Sequence, residues 1–192
     1  MPKEEPARHP RRHPAARAFG LLALSPFVYA LAFAPAPPLL AIPLDRLVSP
    51  RPAHWVLDTT ATLSPQEIGR IDAEAEGARR RTGGEIAVVV VDSTGGLSAR
   101  EYATALANRW LVGDQGLRNG VLILLAKADR RSEIALGKGI DGERERRIAR
   151  DLLEREMAPR FRAGDWAGGL LAGVRGAGGR ILPGSGERPG RP

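Results

Sequence analysis

Three aspartates stand out as residues that could do chemistry: Asp58, Asp92 and Asp129. Asp58 precedes a helix signal, Asp92 closes a β-branched run, and Asp129 follows a second apolar run. Carboxylates brought together repel one another, and a hard cation relieves that repulsion. An oxygen-only set suits Ca²⁺ or Mg²⁺. Arg130, next to Asp129, is the candidate to hold a phosphate beside such an ion. The local alternative is that Asp58 caps a turn, Asp92 ends a strand and Asp129 pairs with Arg130. A second polar cluster, Asp114, Asn119 and Asp141 with Glu143, Gly113 and Gly137, offers another cation site, or plain turn chemistry.

Other chemistries are poorly supplied. The 192-residue chain has no cysteine, which removes thiolate metal sites, disulfides and cysteine nucleophiles. Its three histidines, His9, His13 and His54, all precede residue 55, so a His-based triad or metal centre in the folded part is not expected. Gly137-x-Gly139 is too short for a dinucleotide fingerprint, so no nucleotide is expected. Hydrolysis would need a metal-activated water near Asp58, Asp92 and Asp129.

Charge is unevenly placed. The net charge is +7, with +3 in residues 1–17 and +3 in residues 175–192. The middle is nearly neutral in sum and shows no basic face, so no nucleic-acid partner is expected.

The elements that must position these residues follow from local signals. Residues 1–34 combine basic residues with the uncharged run Ala18–Ala34, and read as a signal peptide or an N-terminal membrane anchor. Either makes the protein exported: periplasmic or extracytoplasmic, secreted or held at the membrane through this segment if it stays uncleaved. Residues 35–53 are proline-rich and read as an extended linker. The folded domain is expected over 54–181 and a disordered tail over 182–192.

Within the domain, Ser64-Pro65-Gln66-Glu67 and Ser98-Ala99-Arg100-Glu101 are capping boxes that open helices. The first puts Ile68, Ile71, Ala75 and Ala78 on one face; the second carries Tyr102, Leu106 and Trp110. Glu85–Asp92 and Val121–Ala126 are apolar runs suited to strands buried on both faces. Ser132–Leu136 reads as a short third strand after a turn at 127–131. A charged helix is expected over Glu143–Met157, and Asp165 caps a last helix. Two strands joined through a helix should be parallel, and the third antiparallel to the second. The prediction is an α/β fold: a small three-layer α/β/α sandwich with a mixed sheet, ordered α-β-α-β-β-α-α. This topology puts Asp58, Asp92 and Asp129 at the carboxyl edge of the sheet, where ligands favour binding, and the second cluster at the opposite edge. Trp55, Trp110 and Trp166 fall at element edges, as core lids or as a partner surface.

Several fragments together resemble the TPM domain family over roughly residues 55–176. They are Trp55-Val56-Leu57-Asp58 with Leu63-Ser64, Thr82-Gly83 with Glu85–Val89, and Trp110-Leu111-Val112-Gly113 with Asn119-Gly120-Val121-Leu122. Asp129-Arg130, Gly137-Lys138-Gly139-Ile140, Pro159-Arg160-Phe161 and Gly164-Asp165-Trp166 follow in order. The resemblance implies an α/β/α sandwich in an exported or membrane-tethered protein. It also implies divalent-cation binding, weak acid phosphatase activity, or the upkeep of membrane complexes with an envelope protein partner. The segment Gly137–Gly142 departs from the family pattern: Lys138 stands where an aromatic is usual, and Asp141 where a glutamate is.

Overall fold

The computed structural model describes residues 42–182. The signal or anchor segment and the tail beyond Leu182 lie outside the described residues. The chain divides into a unit Met1–Pro37 and a compact unit Pro38–Pro192. Among the described residues, no helix is long and apolar enough to cross a membrane.

Four strands form one sheet in the order β1 (Val56–Asp58), β2 (Glu85–Val91), β3 (Gly120–Ala126) and β4 (Arg131–Leu136). β1 and β3 run parallel to β2, and β4 runs antiparallel to β3. The helices are α1 (Pro65–Thr82), α2 (Ala99–Trp110), α3 (Glu143–Asp151), α4 (Ala158–Arg162) and α5 (Trp166–Gly176).

Alternation along β2 and β3 builds two cores. Ile86, Val88, Val90, Val121, Ile123 and Leu125 face one side and meet Ile71, Ala75 and Ala78 of α1 and Leu170 and Val174 of α5. Ala87, Val89, Val91, Leu122, Leu124 and Ala126 face the other and meet Tyr102, Ala103, Leu106 and Trp110 of α2. Each large apolar side chain removed from water contributes ~1.5–3 kcal/mol gross. A sheet apolar on both sides requires a helix layer on each, which gives the three-layer α/β/α sandwich with a mixed sheet.

Both capping boxes form as expected. Ser64 and Ser98 accept the Glu67 and Glu101 N–H groups, and both glutamates bond back. Bonds from the Ser64 backbone and hydroxyl hold the Glu67 carboxyl below its usual range; those from the Ser98 hydroxyl and backbone do the same for Glu101.

The structure differs from the expected element order in three places. A short strand, β1, precedes α1. Its three residues are too few to show alternation, and its pairing with Val88–Val90 supplies what the local pattern lacks. The segment expected as an extended linker lays a 3₁₀ turn, Leu44–Arg46, on α2. Leu47 is buried there, its carbonyl accepts the Trp110 indole N–H at 3.0 Å, and Arg51 bonds the Glu85 carboxylate and the Trp110 carbonyl. The expected helix Glu143–Met157 widens into a π-helical stretch at Leu152–Met157. Pro159 explains the change: it has no N–H to give an α-helical bond. The Ala158 N–H bonds the Leu153 carbonyl, five residues back. At the far end Leu182, assigned to the tail, is buried in the α1-side core.

Glycines close the amino edge of the sheet. A Cβ at Gly120 would fall on the Val112 carbonyl, and one at Gly137 on the Arg118 carbonyl. Gly120→Ala is expected to destabilise by about 3 kcal/mol, the upper range for overpacking. Gly69 lies exposed within α1 with nothing near its Cβ position, and Gly69→Ala is expected to stabilise by ~0.5–1 kcal/mol. Urea unfolding of both variants reads the contrast; equal effects would contradict this packing.

Candidate functional site

The carboxyl edge gathers the ends of β1, β2 and β3 and the starts of α1, α2 and β4. The register pairs Asp58 with Val90 and Val91 with Ala126, so Asp58, Asp92 and Asp129 all stand on this edge. Their carboxylates have different employments. Asp58 Oδ1 accepts the Thr60 N–H at 2.8 Å and its hydroxyl at 2.7 Å, and Oδ2 accepts the Leu63 N–H at 2.8 Å. That is an Asx-type staple shaping the β1–α1 loop. Asp129 Oδ2 accepts the Thr94 N–H at 2.8 Å and hydroxyl at 3.1 Å, tying the β3–β4 turn to the β2–α2 loop. The Thr94 N–H is the main cause holding the Asp129 carboxyl below the usual range; Ser93, the Thr94 hydroxyl and Arg131 add to it.

Asp92 is exposed, and its backbone carbonyl receives the Ala128 N–H at 2.9 Å. Among the described residues no three His, Cys, Asp or Glu side chains group so as to hold a metal ion. Asp58 and Asp129 thus spend part of their hydrogen-bonding capacity on shaping and joining the loops of this edge, and Asp92 alone of the three stands exposed.

In the second cluster, at the amino edge, Asp114 and Asn119 make turn bonds. Asp114 Oδ1 accepts the N–H groups of Gly116 and Leu117 at 2.9 and 2.8 Å, and the Asn119 side chain accepts the Asp114 N–H at 3.0 Å. Asp141 lies 3.3 Å from Arg146. A cavity of about 510 Å³ near His54 has a similar character. Asp72 faces His54 Nδ1 at 3.0 Å, but its other oxygen takes the Trp55 and Val56 N–H groups and so anchors β1.

The carboxyl edge also carries a feature that the sequence reading missed. A cleft of about 720 Å³ opens between the β3–β4 turn and the α4–α5 loop. Among the described residues, Lys127, Arg130, Arg131 and Arg162 line it with a single carboxylate, Asp92. Phe161 and Trp166 form its aromatic wall, ring centroids 5.8 Å apart and 25° from parallel. Lys127 Nζ sits 5.8 Å from the Trp166 ring centroid and donates to the Thr62 hydroxyl at 3.1 Å. Arg130, named as a phosphate holder, stands here, exposed at a positive φ of 54°. The other three cations come from the β3–β4 turn, the start of β4 and the end of α4, the last some thirty residues further on. Only their coincidence in space makes a site.

The Asp129 bonds predict an acid dependence. Folding lowers the Asp129 pKa, so its contribution to stability is complete above the ordinary aspartate value of ~3.9 and is lost as pH falls through the lowered value. Asp129→Asn is expected to lower the urea midpoint at pH 6 and to narrow the gap between variant and parent at pH 3. A gap that stays constant across this range would contradict the assignment.

Comparison with known proteins places this fold. No curated protein matches the chain. Three solved structures share the architecture. The N-terminal domain of cg2496 from Corynebacterium glutamicum is 22% identical, with a TM-score of 0.56, over 69% of this chain and 84% of that one. An N-terminal domain from P. gingivalis is 28% identical, with a TM-score of 0.53, over 67% and 84%. BA42 from the psychrophilic Bizionia argentinensis is 25% identical, with a TM-score of 0.55, over 62% and 81%. The family description "TPM domain" matches residues 56–180, from β1 through α5. The chain belongs to the TPM domain family.

Proposed function

We propose that this TPM domain is an exported accessory module that binds a partner at the cell envelope and is not a cation-dependent hydrolase. One observation carries the reading. Two of the three aspartates at the carboxyl edge are engaged by backbone N–H groups, Asp58 by those of Thr60 and Leu63 in its own loop and Asp129 by that of Thr94 in the neighbouring loop. The same edge offers a cation-lined, aromatic-walled cleft suited to holding a ligand. Export rests on the basic and apolar character of residues 1–34.

A second reading, phosphomonoester hydrolysis, draws on Asp92. It is exposed and shares the cleft with Arg130 and Arg131. A carboxylate among guanidinium groups could act on a phosphoryl centre that those groups hold.

The compact unit 38–192 separates the two readings. With p-nitrophenyl phosphate and Mg²⁺, Mn²⁺ or Ca²⁺, it is expected to show no turnover that Asp92→Asn abolishes. Amide shifts on Ca²⁺ titration are expected not to saturate. Turnover lost in Asp92→Asn would establish the hydrolase, and saturable shifts at 58, 92 and 129 would restore the cation site. Fractionation of cells making the full chain, followed by protease treatment of intact cells or spheroplasts, tests export: the domain should be cut from outside, and a protected domain would overturn it.

A further inference from the structure

The basic cleft has a property that the binding reading does not by itself explain. Its cations are largely uncompensated. Most arginines on α1, α3 and the C-terminal helices pair with a carboxylate, as Arg79 does with Glu76, Arg147 with Glu143 and Arg180 with Glu156. Among the described residues, Arg130 and Arg162 have no ion pair, and Arg131 has only its attraction to Asp129. Asp129 itself is turned to Thr94, and Asp165, on the neighbouring loop, caps α5 through Gly168. Among the described residues lining the cleft, four cations thus stand with one carboxylate, Asp92, beside Leu125 and the Phe161–Trp166 wall. Backbone donors add nothing here: the Ala128 and Asp129 N–H groups go to the Asp92 carbonyl, and the Arg130 N–H to that of Lys127. The cleft therefore attracts anions through long, adaptable side chains, with apolar and aromatic surface beside them. Interfacial membrane surfaces are met in the same way.

The first described residue, Ile42, lies at the same edge. The Ile42 carbonyl lies 3.5 Å from the Tyr102 hydroxyl, in the first turn of α2. Helical side chains lean toward the helix N-terminus, and the N-terminus of α2 is at the carboxyl edge. The chain then runs along α2 to Asp45 and Leu47, which meet Arg109 and Trp110 at its other end.

We infer that the cleft lined by Lys127, Arg130, Arg131 and Arg162 docks onto the anionic phospholipid headgroups of the membrane to which this chain is exported. The inference rests on export. Each cation near an anionic surface strengthens attachment about fivefold. Aromatic rings favour the headgroup level of a membrane interface, and Phe161 and Trp166 stand beside the cations in the cleft.

The unit Pro38–Pro192 is compact and has its own two-sided core, so it serves as the probe without the apolar run. Its flotation is measured with phosphatidylcholine vesicles, with and without phosphatidylglycerol at about a third of the lipid. Binding only to the anionic vesicles is expected. It should fall at least tenfold in the triple variant Arg130→Gln, Arg131→Gln, Arg162→Gln. Removing equal charge elsewhere, in Arg118→Gln, Lys138→Gln, Arg150→Gln, should cost less than threefold. Asp92→Asn should tighten binding severalfold. No flotation, or equal losses in the two triple variants, would overturn the inference. Saturable amide shifts at 127–131 and 162–166 with glycerol 1-phosphate, without flotation, would make the cleft a soluble phosphate site and overturn membrane docking. Thermal unfolding of each variant checks folding. The protease-accessibility experiment on cells tests export separately, so failure of one reading is distinguishable from failure of the other.

Discussion

The fold depends on the parallel pairing of β2 with β3. Seven consecutive register pairs, Glu85 with Gly120 through Val91 with Ala126, join two strands buried on both faces. Such a pair is stable only between two helix layers, and its parallel sense requires a crossover helix on one face. α2 fills that role. α1 and α5 cover the opposite face, where Gly169, Gly173 and Gly176 let α5 lie close to Phe161, Met157 and Leu152. β4 then turns back through Lys127–Arg130 and closes the sheet against β3.

The same pairing sorts the loops into two edges with different physics. At the amino edge, backbones approach so closely that Gly120, Gly137 and Gly139 have no room for a Cβ. Arg51 bonds Glu85 there, and Glu85 in turn takes the Gly113 N–H at 2.8 Å. This edge is a closely packed closure. At the carboxyl edge, Asp58 and Asp129 shape the loops, while the cations and aromatic rings between β3 and α5 remain open to a ligand.

Much of this was legible in the sequence because the signals were local and strong. The two capping boxes, the β-branched run after Gly84 and the buried run after Gly120 each state their element within a few residues. Asp165 was readable as a cap for the same reason. β1 was not, because three residues cannot express a period and only β2 gives them a partner. The π-helical stretch at Leu152–Met157 has the apolar spacing of a helix, so its wider winding came from Pro159 and not from the pattern. The aspartates were correctly placed on one edge by topology. The turn cap by Asp58 was legible as the local alternative, because Thr60 and Leu63 are two and five residues away; the partner of Asp129 was not, since Thr94 lies thirty-five residues from it. The basic cleft was hidden by summation: the middle of the chain is nearly neutral overall, yet Lys127, Arg130, Arg131 and Arg162 converge while the balancing carboxylates lie on other faces.

The central claim is that the carboxyl edge is the face this domain turns to its ligand. Paramagnetic relaxation tests it most directly. The full chain is held in nanodiscs containing phosphatidylglycerol and a lipid with a spin-labelled headgroup, and amide broadening is mapped along the domain. Broadening concentrated at 127–131 and 161–166, with the amino-edge loops 113–119 and 137–142 spared, is the predicted result. Broadening strongest at the amino edge, or spread evenly over the surface, would contradict it.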